Sequence, residues 1–158
     1  MSNIKLFEKA FDPAHEISRL TGDNKAMGAI VSFIGTMRDF NEDDEVLTMR
    51  LEHYPGMTEK SLKKIADEAK QRWHLGDVSV FHRVGLINPG EPIVLVAVSS
   101  VHRGEAFQAC EFVIDFLKTQ APFWKKEVLT DGEHWVNERH SDHLAAQRWT
   151  KNYEKKSR

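Results

Sequence analysis

The sequence predicts an α+β domain, and three observations carry that expectation. Two segments, Met57–Trp73 and Gly104–Gln120, bear apolar residues at helical spacing. The strand-length runs Gly28–Gly35, Val78–Val84 and Pro92–Val101 are strongly apolar, and Val46–His53 alternates with a period of two. Only a turn-forming stretch ending in Asn88-Pro89-Gly90-Glu91 separates Val78–Val84 from Pro92–Val101, which favours an antiparallel hairpin with a longer loop. Two long helices against a mostly antiparallel sheet define the class. At 158 residues the chain is long enough to bury a substantial core. We place one domain at residues 1–150 and a polar tail at 151–158.

The elements follow in order. Asn3–Glu8 reads as a short strand. Asp12-Pro13 pairs an N-cap with a proline at the first helical position, opening a short helix to about Leu20. Thr21–Asn24 is a turn. Gly28–Gly35 reads as a buried strand ending at Thr36-Met37-Arg38-Asp39, and the acidic segment Asn41–Glu45 as a solvated loop. Tyr54-Pro55-Gly56 breaks the strand Val46–His53. In Met57–Trp73, the residues Leu62, Ile65, Ala66, Ala69 and Trp73 form one face, with charges opposite. Pro122 lacks an N–H and disfavours helix at Ala121, so Gly104–Gln120 stops there. Ser141 is placed as the cap of a last short helix reaching Trp149.

Bulk properties exclude several function classes. A formal charge of −2 gives no global attraction to nucleic acid or to an anionic membrane, so any anion site must be local. The single cysteine, Cys110, excludes an internal disulfide and a multi-cysteine zinc site. No apolar run is long enough for a membrane-spanning helix, and the first residues show no signal-peptide pattern, so a cytoplasmic chain is expected. The histidines show no HExxH spacing, and we expect neither metal nor cofactor.

Three constellations are chemically suggestive. His102-Arg103-Gly104 lies where an apolar strand gives way to a helix, a place where backbone N–H groups, the helix dipole and a guanidinium all favour an anion. Arg38 follows Gly35, which permits close approach to the backbone; it is either an anion ligand or a surface partner of Asp39 or Glu42. The third is Leu117-Lys118-Thr119-Gln120-Ala121-Pro122-Phe123-Trp124-Lys125-Lys126-Glu127, with lysines on both sides of a rigid bend. Lys118 falls about 20° around the helix from Phe107. Phe107, Cys110, Val113, Ile114 and Leu117 form the expected apolar face, so Lys118 lies at its edge. It is there either a partly desolvated amine fit for chemistry or a lysine that extends its head to water. Cys110 reads as a small core residue. Arg139, four residues after Trp135, is an anion ligand or an ion-pair partner.

The stretches Leu51-Glu52-His53-Tyr54-Pro55-Gly56-Met57-Thr58-Glu59, Val101-His102-Arg103, and Leu117-Lys118 through Ala121-Pro122-Phe123-Trp124-Lys125-Lys126-Glu127 occur in one order. Together they resemble the catalytic (large) subunit family of molybdopterin synthase, from about Gly28 to Trp149. Thr36-Met37 departs from the family's usual valine before the arginine. The resemblance implies an α/β hammerhead-type core with an additional small antiparallel β subdomain. It implies a sulfur transferase of molybdenum cofactor biosynthesis that converts cyclic pyranopterin monophosphate to molybdopterin. The sulfur would come from the C-terminal Gly-Gly thiocarboxylate of a small ubiquitin-like subunit, in a heterotetramer built on a homodimer. Carried over by motif, Lys118 and Lys125 are the catalytic pair. Thr36, Met37, Arg38, His102, Arg103, Lys126 and Glu127 would line the substrate pocket, with Arg139 contributing across the dimer interface. Two other classes stay open on the residues alone: a nucleic-acid-binding module and a scaffold that only docks a ubiquitin-like protein.

Overall fold

Val94, Val96 and Val98 alternate with Leu95 and Ala97 along one strand, and every one of them is buried. Such a strand needs cover on both faces, and the fold supplies it. The computed structural model describes residues 1–20, 24–41, 44–136 and 140–156, and their side chains apart from 41, 44, 140, 141 and 151–156. In chain order the elements are β1 (Ser2–Phe7), α1 (Pro13–Ser18), β2 (Ala29–Thr36), β3 (Phe40–Asn41), β4 (Asp44–His53), α2 (Met57–Arg72), β5 (Leu75–Arg83), β6 (Gly85–Ile87), β7 (Pro92–Ser100), α3 (Arg103–Gln120), β8 (Phe123–Leu129), β9 (Gly132–Val136) and α4 (His140–Lys156).

One sheet has the order β1-β5-β7-β2, antiparallel except for the parallel pair β1–β5. Val78, Val80, Val94, Val96 and Val98 meet the buried faces of α2 and α3, through Leu62, Ile65, Ala69, Ala109, Phe112 and Val113. On the opposite face Phe81 and Leu95 pack with Phe11, Phe7 and Ile17, so α1 and the segment before it cover that side. Asp12 caps α1 by accepting from the Ala14 N–H at 3.0 Å, as the sequence predicts.

The second sheet, β3-β4-β8-β9 with β6 also on β4, has its own small core of Met37, Val46, Met49, Leu51 and Ile87. The expected β5–β7 hairpin is present, but its long loop leaves the first sheet to supply β6 to the second. This second sheet is the additional β subdomain. The β8–β9 hairpin within it has no counterpart in the residue-by-residue reading, because Phe123–Leu129 mixes lysines with apolar residues and shows no clean alternation. Phe123 packs against both cores and joins them.

Two expectations are corrected. Gly28–Gly35 forms a strand but not a buried one. As β2 it is the edge of its sheet, and Phe33 and Ile34 are 39% and 42% exposed. The last helix is not short; α4 runs to Lys156, so the expected tail from residue 151 begins within it. Its proposed Ser141 cap, the Thr21–Asp23 part of the predicted turn and residues 42–43 of the acidic loop lie outside the described residues or side chains. Asp115 on α3 holds α4 in place, accepting from Trp149 Nε1 at 2.7 Å and from Arg148 at 2.8 Å. Among the described residues, no helix is long and apolar enough to cross a membrane.

Candidate active site

The bend at Pro122 decides where the lysines go. Thr58, fully buried in the first turn of α2, donates its hydroxyl to the Pro122 carbonyl at 3.1 Å and accepts from the Tyr54 N–H at 3.0 Å. This ties the start of α2 to the α3–β8 corner. Lys118 leaves the last turn of α3, and Lys125 leaves the middle of β8. Both border one cavity of about 250 Å³ at the junction of the two cores. Met37 and Arg38 line it from the end of β2, His82 from β5, Phe123 and Glu127 from β8, and Asp142 from α4. Three cationic side chains around one concave space make a local anion site in a chain of net negative charge.

The strand periodicity of β8 sorts its residues. Phe123, Lys125 and Glu127 face the cavity, whereas Trp124 and Lys126 face the other way. Lys126 therefore does not line the pocket as the family resemblance implied. Its ammonium pairs with Glu133 at 2.8 Å and lies 5.0 Å from the centre of the Trp135 ring. Lys126→Ala is expected to leave turnover within about twofold of the unaltered chain, and steady-state kinetics with purified variant checks it.

Other assignments change too. Thr36 is exposed at the end of β2 and is absent from the cavity wall, whereas its neighbour Met37 is buried in it. His102 and Arg103 sit exposed at the opposite end of α3 from Lys118. Fifteen residues at about 1.5 Å rise separate Arg103 from Lys118 by roughly 22 Å along the helix, so neither reaches this cavity within the same protomer. Arg139 lies outside the described residues. Lys118 is exposed, not partly buried. Its phase with Phe107 is as expected, but Phe107 is itself 61% exposed. Cys110, Val113 and Leu117 of the expected face are buried, but the buried face of α3 extends to Ala106, Ala109, Phe112 and Phe116 and leaves Phe107 out. Cys110 is buried as expected, and burial pushes its thiol up to about 11.

The residue that sequence reasoning missed is His82. Its ring stacks on Phe123, centroids 4.0 Å apart, and Nδ1 lies 2.7 Å from the Arg83 carbonyl oxygen. Burial lowers its pKa from 6.5 to about 4, with Lys125 and Lys118 adding to the effect. The folded imidazole is neutral near pH 7. The unfolded chain takes up a proton that the folded one refuses, so this contribution to stability is complete above about pH 6.5 and falls as the pH drops toward 4. Thermal melts across that range are expected to show a steeper acid loss for the unaltered chain than for His82→Phe; parallel curves would contradict it.

Comparison with known proteins gives a consistent set of relatives. The family described as MoaE protein matches residues 6–120. The molybdopterin synthase catalytic subunit of Pseudomonas aeruginosa is 56% identical over 146 residues, covering 92% of this chain and 97% of that protein. Among solved structures, the molybdopterin biosynthesis MoaE protein from Burkholderia ambifaria superposes with a TM-score of 0.81 at 50% identity, covering 95% of this chain and 99% of that one. Molybdopterin synthase from Staphylococcus aureus gives a TM-score of 0.77 at 33% identity, over 84% and 95% of the two chains.

Proposed function

The chain belongs to the MoaE protein family, and from that premise we propose that it is the catalytic subunit of a molybdopterin synthase, a sulfur transferase of molybdenum cofactor biosynthesis. Its substrate is cyclic pyranopterin monophosphate, its product is molybdopterin, and its sulfur arrives as the thiocarboxylate at the Gly-Gly end of a small ubiquitin-like subunit. The Pseudomonas relative is named a catalytic subunit, which supports a further subunit beside it.

The observation that carries this reading is the convergence on one cavity of Lys118 from α3, Lys125 from β8 and Arg38 from the segment after β2. Both reactants are anionic, a phosphate and a thiocarboxylate, and three cations offset the repulsion between them when they are brought together. Arg38 suits the phosphate, because a guanidinium donates in bidentate fashion. Lys118, at the rim, meets the acyl carbon and sulfur of the incoming tail as acid/base or as a transient amine nucleophile. Lys125 orients the thiocarboxylate or the pterin, with Glu127 two residues on along the same face. The buried Cys110 is not needed as a sulfur carrier, since sulfur arrives already activated on the partner.

The assembly is a homodimer within a heterotetramer acting in the cytoplasm. His102 and Arg103 serve this cavity only from a second copy of the chain, and Arg139 is assigned to the same interface. The exposed apolar edge of β2 supports a chain that is covered by partners, because such edges otherwise invite aggregation. We treat residues 1–150 as one catalytic domain.

Mass spectrometry after mixing the chain with thiocarboxylated partner and substrate tests the function. Molybdopterin and desulfurated partner are expected. No product from any such mixture, with both components verified intact, would overturn the reading.

A further inference from the structure

His82 is a buried polar group of the cavity wall to which the proposed chemistry gives no role. It is 3% exposed, and its ring is held on two sides, by the Phe123 stack and by the Arg83 carbonyl. A carbonyl oxygen only accepts, so Nδ1 carries the hydrogen and Nε2 keeps its lone pair. The charged groups that line the same cavity are Arg38 from the β2 end, Lys118 from α3, Lys125 and Glu127 from β8, and Asp142 from α4. His53 on β4 lies opposite Phe123 in register and also acts on the ring electrostatically. Lys118 and Lys125 border the same cavity as His82, and their charges add to the burial that keeps its ring neutral.

We propose that His82 is a positioning residue for the lysine pair: with its ring clamped by Phe123 and the Arg83 carbonyl, it presents Nε2 to the cavity as a neutral acceptor that takes a hydrogen bond from a lysine head group. This rests on the reading of Lys118 and Lys125 as the catalytic pair. The chemistry favours an imidazole over a carboxylate at this point. A carboxylate would hold an ammonium by charge and compete with the anionic reactants for it. A neutral acceptor orients the same ammonium and leaves its charge for phosphate or thiocarboxylate. Because burial holds the ring neutral, the lone pair is available at neutral pH.

Two measurements on the intact chain test this. The first is independent of activity: the Nε2 resonance of His82, in protein with isotope-labelled histidine, is assigned by its loss in His82→Phe. It is expected to move in Lys118→Ala or Lys125→Ala and to stay in place in Lys126→Ala. A resonance unmoved in both cavity variants overturns the proposal. The second compares His82→Phe, which keeps a stackable ring, with His82→Gln, which restores a neutral acceptor, in the complex with thiocarboxylated partner and substrate. The Phe variant is expected to lose about tenfold in kcat with little change in KM, and Gln to recover most of it. A Gln variant no better than Phe, or a Phe variant with full kcat, overturns the proposal. Should His82→Phe not fold, His82→Leu takes its place in both measurements. Absence of product from the unaltered chain would sink the sulfur-transfer reading instead, and the nitrogen resonance would still decide the role of His82.

Discussion

Lys118→Ala is expected to fold normally and to make no detectable molybdopterin. The side chain is exposed at the last turn of α3, and the core face of that turn belongs to Phe116 and Leu117. Removing it therefore opens no cavity, and the stability change should stay within about 0.5 kcal/mol. The chemical cost is of another order. Losing a positioned proton donor or acceptor costs about 10²–10⁴ in rate, and losing a preorganised cation next to developing negative charge costs a similar factor. Lys118→Arg separates the two contributions. Arginine keeps the positive charge but does not give up its proton or act as an amine nucleophile. A variant with substantial activity would make Lys118 an electrostatic residue, and an inactive one would point to proton transfer or covalent chemistry. Product mass with thiocarboxylated partner and substrate is the measurement, with a denaturation curve beside it. Full turnover in Lys118→Ala would remove the residue from the mechanism.

Phe112→Ala should be the most destabilising single change in the helical layer, at about 3–5 kcal/mol. The ring is fully buried and stands edge-on to Trp73 at 5.3 Å and to Trp149 at 5.6 Å, with Phe116 at 4.7 Å and the Arg72 guanidinium at 4.7 Å from its centre. It thus joins α2, α3 and α4 in one cluster. An alanine leaves a space that three large aromatics cannot close without moving their helices. Because α4 carries Asp142 to the cavity, activity should fall with stability in this variant, in contrast to Lys118→Ala. Urea denaturation of both proteins gives the difference, and a loss below about 1 kcal/mol would show that the cluster repacks around the smaller residue.

Lys125 and Lys126 show how far local pattern carries. They are adjacent and chemically identical, and the ordered motifs that resemble the family contain both. Only pairing of β8 with β4 and β9 turns one ammonium to the cavity and the other to Glu133 and Trp135. His102 and Arg103 are a second case. Their place at the start of a helix was legible from the strand–helix junction, and so was the end of that helix at Pro122. The distance between the two ends follows from the helix length, yet membership in one motif set grouped them in a single pocket. His82 was silent for a different reason. It sits in an apolar run, where a histidine reads as one more half-buried strand residue, and its partner Phe123 is 41 positions away.

The strands and helices that build the first sheet and its cover were readable from period two, period 3.6, the Asp12-Pro13 cap and the Pro122 stop. These signals are local, since each depends on residues within a turn or two of one another. So was the presence of a lysine-flanked bend. What required the tertiary structure is every relation across long separations. Examples are β2 as an exposed edge where its composition suggested a buried strand, β6 carried out of one sheet to complete another, and the meeting of Arg38, His82, Lys118 and Lys125 around one space. Hydrophobic periodicity tells a segment which of its faces to bury; which neighbour does the burying, and so which polar side chains end up facing each other, is settled only when the whole core packs at once.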